Sequence, residues 1–84
     1  MVKLLVDVFF PGNGKTYEFQ LDGSMHVGRA AAQIINSICE AENDAVAIDP
    51  STAILSDANT AKRLDAGMAL RSEGVKSGHR LILV

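Results

Sequence analysis

Tryptophan is absent from the 84 residues, and cysteine and tyrosine each occur once and proline twice. The lone Cys39 cannot close an internal disulfide and cannot build a zinc or iron–sulfur site with other thiols. The sequence therefore reads as that of a cytoplasmic chain. Basic excess is also lacking: eight Lys and Arg face ten Asp and Glu, for a net charge of −2. Without surplus cations to neutralise phosphates, general nucleic-acid binding is not expected. No apolar run approaches the ~20 residues needed to span a bilayer. The longest near the start, Leu4 to Phe10, is broken by Asp7, so direct membrane insertion is not expected. Met1 to Phe10 does not resemble a signal peptide either, having one Lys, no long apolar centre and no small-residue cleavage site. Low-complexity segments and internal repeats are missing as well.

What is present is 48% hydrophobic and 21% charged, which is ordinary for a folded globular protein and unlike a disordered one. The length predicts one domain over residues 1–84, burying roughly 60% of the unfolded surface around one modest core. It leaves no room for a deep cleft between domains.

Val2 to Phe10 is rich in β-branched and aromatic residues and predicts a strand. Leu4, Val6 and Val8 share one face, and Lys3, Leu5, Asp7 and Phe9 the other, so the first set is the candidate core. Pro11-Gly12-Asn13-Gly14 supplies a turn. Thr16 to Leu21 then alternates, with Tyr17, Phe19 and Leu21 inward, which completes an antiparallel hairpin. Ser24 is a candidate N-cap for a helix from about Met25 to Ala41. Val27, Ala31, Ile34, Ile35 and Ile38 form its apolar stripe, and Gly28 weakens its first turn by roughly 1 kcal/mol relative to Ala. Beyond Asn43-Asp44 the signals are shorter. Asp49-Pro50-Ser51 reads as a turn, Thr52 to Ser56 as a short strand, and Asp57-Ala58-Asn59-Thr60 as a polar turn. Lys62 to Leu64 is a very short strand and Leu70 to Glu73 one helical turn closed by Gly74. Arg80 to Val84 is a final strand. A hairpin, one long helix and a C-terminal strand make an α+β domain, with the helix on one face of a mixed four- to five-stranded sheet. A β-grasp is the simplest arrangement of these elements.

Several motifs invite chemical readings. Gly14-Lys15-Thr16 ends like a phosphate loop, but Phe9 stands where the first glycine is needed, and a strand follows instead of a helix. A hairpin turn explains these residues. Cys39 with His26 or His79 suggests a thiol nucleophile, but no base is positioned by sequence and Glu40 is adjacent, so a quiet, partly buried Cys is expected. The two histidines lack a carboxylate at ligand spacing, so no metal is expected. Glu40, Glu42 and Asp44 give the helix an acidic end, which the helix dipole disfavours. It reads as a solvated loop, or as a contact for a basic partner.

The segment Arg63-Leu64-Asp65-Ala66-Gly67-Met68-Ala69-Leu70-Arg71-Ser72-Glu73-Gly74-Val75 resembles, without a gap, the ubiquitin stretch Leu-Glu-Asp-Gly-Arg-Thr-Leu-Ser-Asp-Tyr-Asn-Ile. Leu64, Leu70 and Val75 fall where that superfamily buries aliphatic residues. Val75 to Val84 resembles the ending I-x-x-G-D-x-L-x-L, with His79 replacing the usual acidic residue. The path from Ala45 to Leu64 includes a loop longer than ubiquitin's. Within the superfamily the chain looks like the short, free-standing YukD/EsaB proteins of bacterial type VII secretion systems. That resemblance implies a non-enzymatic cytoplasmic accessory protein that needs no cofactor and binds a protein partner, a membrane component of the apparatus. The sequence ends at Leu83-Val84 without a Gly-Gly tail, so adenylation, thioester transfer and thiocarboxylate formation are not expected. Two other readings stay open: a regulator or adaptor outside secretion, and a modifier or sulfur-carrier relative.

The outer sheet face carries the candidate site. Leu5 and Phe9 on the first strand, and Ile82 and Val84 on the last, point away from the helix. As the resemblance makes these strands neighbours, the four predict one protein-binding patch; scattered exposed apolar residues are the plainer alternative. Exposed strand edges offer docking by strand addition, and edges and apolar face both allow a homodimer.

Overall fold

Residues 3–43, 48–49 and 51–84 are described by a computed structural model. Alternation along β1 (Lys3–Phe10) sends Leu4, Val6 and Val8 into the core, all under 7% exposed. β2 (Lys15–Asp22) runs back along it in an unbroken register from Lys3 opposite Asp22 to Phe10 opposite Lys15. The connecting loop therefore holds residues 11–14 and is longer than a two-residue Asn-Gly turn. Gly14 takes φ +71°, a conformation glycine adopts without a Cβ penalty. A side chain at Gly12 would strike the Phe10 ring, since a Cβ there would sit 2.5 Å from it.

Helix α1 (Val27–Ala41) crosses the inner face. Its buried stripe is Val27, Ala30, Ile34, Ile35 and Ile38; Ala31, expected in that stripe, is half-buried beside it. The helix starts two residues later than expected, and its N-cap is His26, not Ser24. Ser24 is occupied in the turn before it, where its N–H and Oγ both donate to Asp22 Oδ1. His26 gives no side-chain cap. Instead the Met68 carbonyl accepts from Val27 N–H at 2.8 Å and the Ala66 carbonyl from Gly28 N–H at 3.1 Å. Gly28 has a local reason: a Cβ would lie 3.3 Å from the Ala66 oxygen, so the absent side chain lets the capping loop approach.

The remaining strands are short. β3 (Leu55–Asp57) begins later than the expected strand because Thr52 and Ala53 turn back onto the Asp49 carbonyl. β4 (Lys62–Arg63) pairs antiparallel with β3, and β5 (Arg80–Leu83) lies between β3 and β1. The sheet order is β2-β1-β5-β3-β4, with β5 parallel to β1 and the other pairs antiparallel. Leu21, Leu55, Leu64, Leu70, Val75, Leu81 and Leu83 complete the core beneath α1. A 3-10 turn at Arg71–Glu73 stands where a helical turn was expected, closed by Gly74 at φ +82°. The expectations for Val2, Asp44 and Pro50 lie outside the described residues.

Asp57 corrects the reading of that position as the start of a polar turn: strand alternation points its side chain inward, fully buried. A buried carboxylate requires donors. His79 Nδ1 and Oδ2 form a hydrogen bond of 2.8 Å, and the Asn59 N–H donates to Oδ1 at 2.9 Å. The histidine that departs from the ubiquitin pattern thus satisfies the one aspartate that β3 turns inward. In a double-mutant cycle of Asp57→Ala and His79→Ala, read from urea midpoints, the coupling is expected to be roughly 1–2 kcal/mol. Additive losses would show that the pair contributes nothing jointly.

Candidate interaction surface

The helix covers the inner face of the sheet only, so every second residue of each strand is turned to the opposite side. The register sets these outer residues side by side. Phe9 of β1 lies directly opposite Ile82 of β5, and both are half-buried. Val84 follows Ile82 and is 57% exposed. Ile54 joins Val84 through two backbone hydrogen bonds, N–H to carbonyl in each direction, at 2.7 and 3.0 Å. Leu5 is 50% exposed but stands apart at the other end of β1. Asp7 and Arg80, opposite each other, lie between it and the Phe9–Ile82 pair. The structure therefore brings three of the four expected patch residues together, adds Ile54, and sets Leu5 apart. Sequence alternation found Phe9, Ile82 and Val84. Ile54 carried no such signal, because its place depends on pairing with the last strand.

Charge on this face is graded. On the β2 side Glu18 lies opposite Asp7. On the other side come Arg80 of β5 and Arg63 of β4, the latter opposite Ser56. Asp7 and Arg80 thus face each other at one end of the Phe9–Ile82 pair, with Glu18 beside Asp7, while Arg63 lies across Ser56 from Ile82.

The motifs weighed for chemistry find structural places. Lys15 follows a hairpin loop and opens a strand, so its loop does not end at a helix as a phosphate loop must. Its Nζ donates to both Glu42 oxygens at 3.0 Å. Tyr17 Oη donates to Glu42 Oε1 at 2.7 Å and accepts from Asn13 Nδ2 at 2.9 Å. The expected solvated acidic helix end is corrected at Glu42, which ties the end of α1 to the hairpin. Cys39 is half-buried on α1. Among the described residues, no three His, Cys, Asp or Glu side chains converge as metal ligands. No described helix is long and apolar enough to cross a membrane.

A groove of about 570 Å³ lies between the start of α1 and the segments around Ala53 and Leu64. Val27, Ala31 and Ala66 line it with small side chains where Gly28 has none, and Asp65 stands at its polar part. Asp65 Oδ1 accepts from the Gly67 N–H at 2.9 Å and so belongs to the capping loop.

No protein-family model and no curated protein matches the sequence. Solved structures do match. The N-terminal ubiquitin-like domain of the 4931431F19Rik protein is 22% identical with a TM-score of 0.76, covering 98% of this chain and 73% of that one. The ubiquitin-like domain of Arabidopsis thaliana At2g32350 is 19% identical with a TM-score of 0.72, covering 100% and 78%. Caldiarchaeum subterraneum ubiquitin is 19% identical with a TM-score of 0.69, covering 98% and 91%. The fold is ubiquitin-like.

The electrostatic ties have a pH signature. The Tyr17 hydroxyl, and then the Lys15 ammonium, hold the Glu42 carboxyl below its ordinary range. The Asp65 N–H, and then Lys62, do the same for Glu73. A lowered folded value means that stability is fully present above the ordinary carboxylate value of 4.5 and is lost as pH falls through the lowered one. Denaturant midpoints measured downward from pH 6 are therefore expected to fall in acid. Glu42→Gln and Glu73→Gln together should flatten that decline, and an equally steep decline in the double variant would contradict the assignment.

Proposed function

We propose that this chain is a non-catalytic, ubiquitin-like interaction module that binds a protein partner through the outer sheet face. The observation that carries the reading is the Phe9–Ile82 pair, continued by Val84 and Ile54, on the sheet side the helix leaves open. An apolar centre with charged margins is the ordinary anatomy of a protein interface. The centre supplies the desolvated contact. The graded charge, acidic at Glu18 and Asp7 and basic at Arg80 and Arg63, fixes the partner's orientation. Leu5 is a peripheral contact in this reading, since Asp7 and Arg80 separate it from the centre. No cofactor takes part.

In its finer form the proposal makes the chain a cytoplasmic accessory protein of a type VII secretion apparatus, with a membrane component of that apparatus as partner. Support for this form is the resemblance of the β1 region, the helix and the G-x-x-L-x-L ending to YukD/EsaB proteins.

Affinity capture with the tagged chain from its native cells, with Phe9→Asp as the paired control, tests both forms. The wild type is expected to recover a secretion-system membrane component, and the purified pair should weaken about 30-fold or more with Phe9→Asp or Ile82→Asp. Unchanged affinity in variants with wild-type circular dichroism would remove the sheet face as the site. Recovery of an unrelated partner through the same residues would keep the module and remove the secretion role. Recovery of an activating enzyme, or of covalent adducts, would replace both with a modifier function.

A further inference from the structure

β2 is the longest strand at an edge of the sheet, because the opposite edge, β4, spans only Lys62–Arg63. Natural edge strands are guarded by proline, bulges, short length or charged side chains. β2 has only the last, with Glu18 at its middle and Lys15 and Asp22 at its ends: it contains no proline, and it pairs residue for residue with β1 without a bulge.

The direction of its free backbone groups follows from the neighbouring ladder. Asp7 N–H donates to the His79 carbonyl and Gly78 N–H to the Leu5 carbonyl, so the odd residues of β1 bond toward β5. Its even residues bond toward β2, where Val6 faces Phe19 and Val8 faces Tyr17. The odd residues of β2 are thereby used up, and the backbone groups of Thr16, Glu18 and Gln20 point outward with no strand beyond them among the described residues. The side chains of these three are exposed, while Tyr17 and Phe19 on the core side are half-buried.

We propose that two copies of this chain associate through β2, antiparallel and edge to edge, around a two-fold axis at Phe19. The register follows from charge. A two-fold pairing of like faces must be centred on a single residue. Centring on Glu18 sets that carboxylate against itself, and centring on Gln20 sets Glu18 against Asp22 twice; directly opposed like charges are destabilising. Centring on Tyr17 avoids the clash but leaves Gln20 to Asp22 unpaired. Centring on Phe19 places Glu18 against Gln20 of the second copy on both sides of the axis, so that each carboxylate accepts from an amide. Tyr17 then faces Leu21, and Thr16 faces Asp22, whose carbonyl already accepts from Met25 N–H and so ends the ladder. Phe19 meets its own copy at a non-hydrogen-bonded position, where side chains approach most closely and aromatic pairs are favourable. Both outer faces remain uncovered and lie on the same side of the joined sheet. The dimer is therefore independent of the binding proposed for Phe9 and Ile82.

A seam this narrow falls below the ~1,200 Å² typical of stable interfaces, so association in the micromolar-to-millimolar range is expected. Sedimentation equilibrium over that range is expected to show a monomer–dimer equilibrium. Gln20→Lys should tighten it roughly fivefold and Gln20→Glu loosen it by a similar factor, since each alters two symmetry-related pairs with Glu18. Both changes are on the exposed side and should leave circular dichroism unaltered. In the unmodified protein, amide exchange at Thr16, Glu18 and Gln20 should slow as concentration rises. A monomer throughout the range would overturn the proposal. So would a dimer indifferent to both substitutions, or concentration-dependent protection elsewhere with none at these three amides.

Discussion

The start of α1 is the constraint on which the rest of the structure depends. A helix leaves its first amides without partners, and the usual remedy is a Ser, Thr, Asp or Asn at the N-cap. Here the N-cap is His26 and no side chain serves. The carbonyls of Met68 and Ala66 come instead from a loop some forty residues further along the chain. Packing the helix and placing the 65–71 loop are therefore one event. The Met25 carbonyl accepts from Leu70 N–H and the Gly23 carbonyl from Arg71 N–H, so the loop is stitched to the helix entry on both sides. Glu73 holds the loop's shape from within by accepting from the Asp65 N–H at 2.8 Å and from Lys62 Nζ at 3.2 Å. That stretch carries the strongest resemblance to ubiquitin, and its physical task here is to close the helix.

Polar groups elsewhere are spent on the same kind of long-range fastening. Glu42 joins the far end of α1 to the hairpin through Lys15 and Tyr17. Asp57 and His79 join β3 to the approach to β5, and the Asn59 side-chain carbonyl accepts from the Arg80 N–H nearby. β3 and β4 are too short to be stable as an isolated hairpin. Their order follows from being held against β5 and from burying Leu55 and Leu64 under the helix. A sheet with such brief strands on one flank leaves its long strands, β1 and β2, to present the accessible surfaces.

Local periodicity made the hairpin, the helix and the last strand legible, because period two and period 3.6 are properties of adjacent residues. Leu4, Val6 and Val8, and Ile34, Ile35 and Ile38, needed nothing else. Ser24 misled because an N-cap preference is also a turn preference, and Asp22 beside it offered the turn. Asp57 misled because a polar residue in a polar-looking run gives no hint that a distant histidine will answer it. Glu42 and Glu73 were invisible as fasteners for the same reason: each partner lies eight or more residues away.

The surface shows the same division more sharply. Alternation alone could say that Phe9 and Ile82 leave the core, but only the parallel register between β1 and β5 sets them opposite one another. That register also separates Leu5 from them, because it brings Arg80 level with Asp7 in between. A residue's face is thus a local property and its neighbours on that face are a topological one. An interface built across strands is a statement about register, and register is fixed by the core: a slip of one residue would turn Leu81 and Leu83 outward and Ile82 inward. The residues that hold β5 in place from inside therefore also determine which apolar side chains meet on the outside, so the apolar outer surface is specified largely by side chains that never touch it.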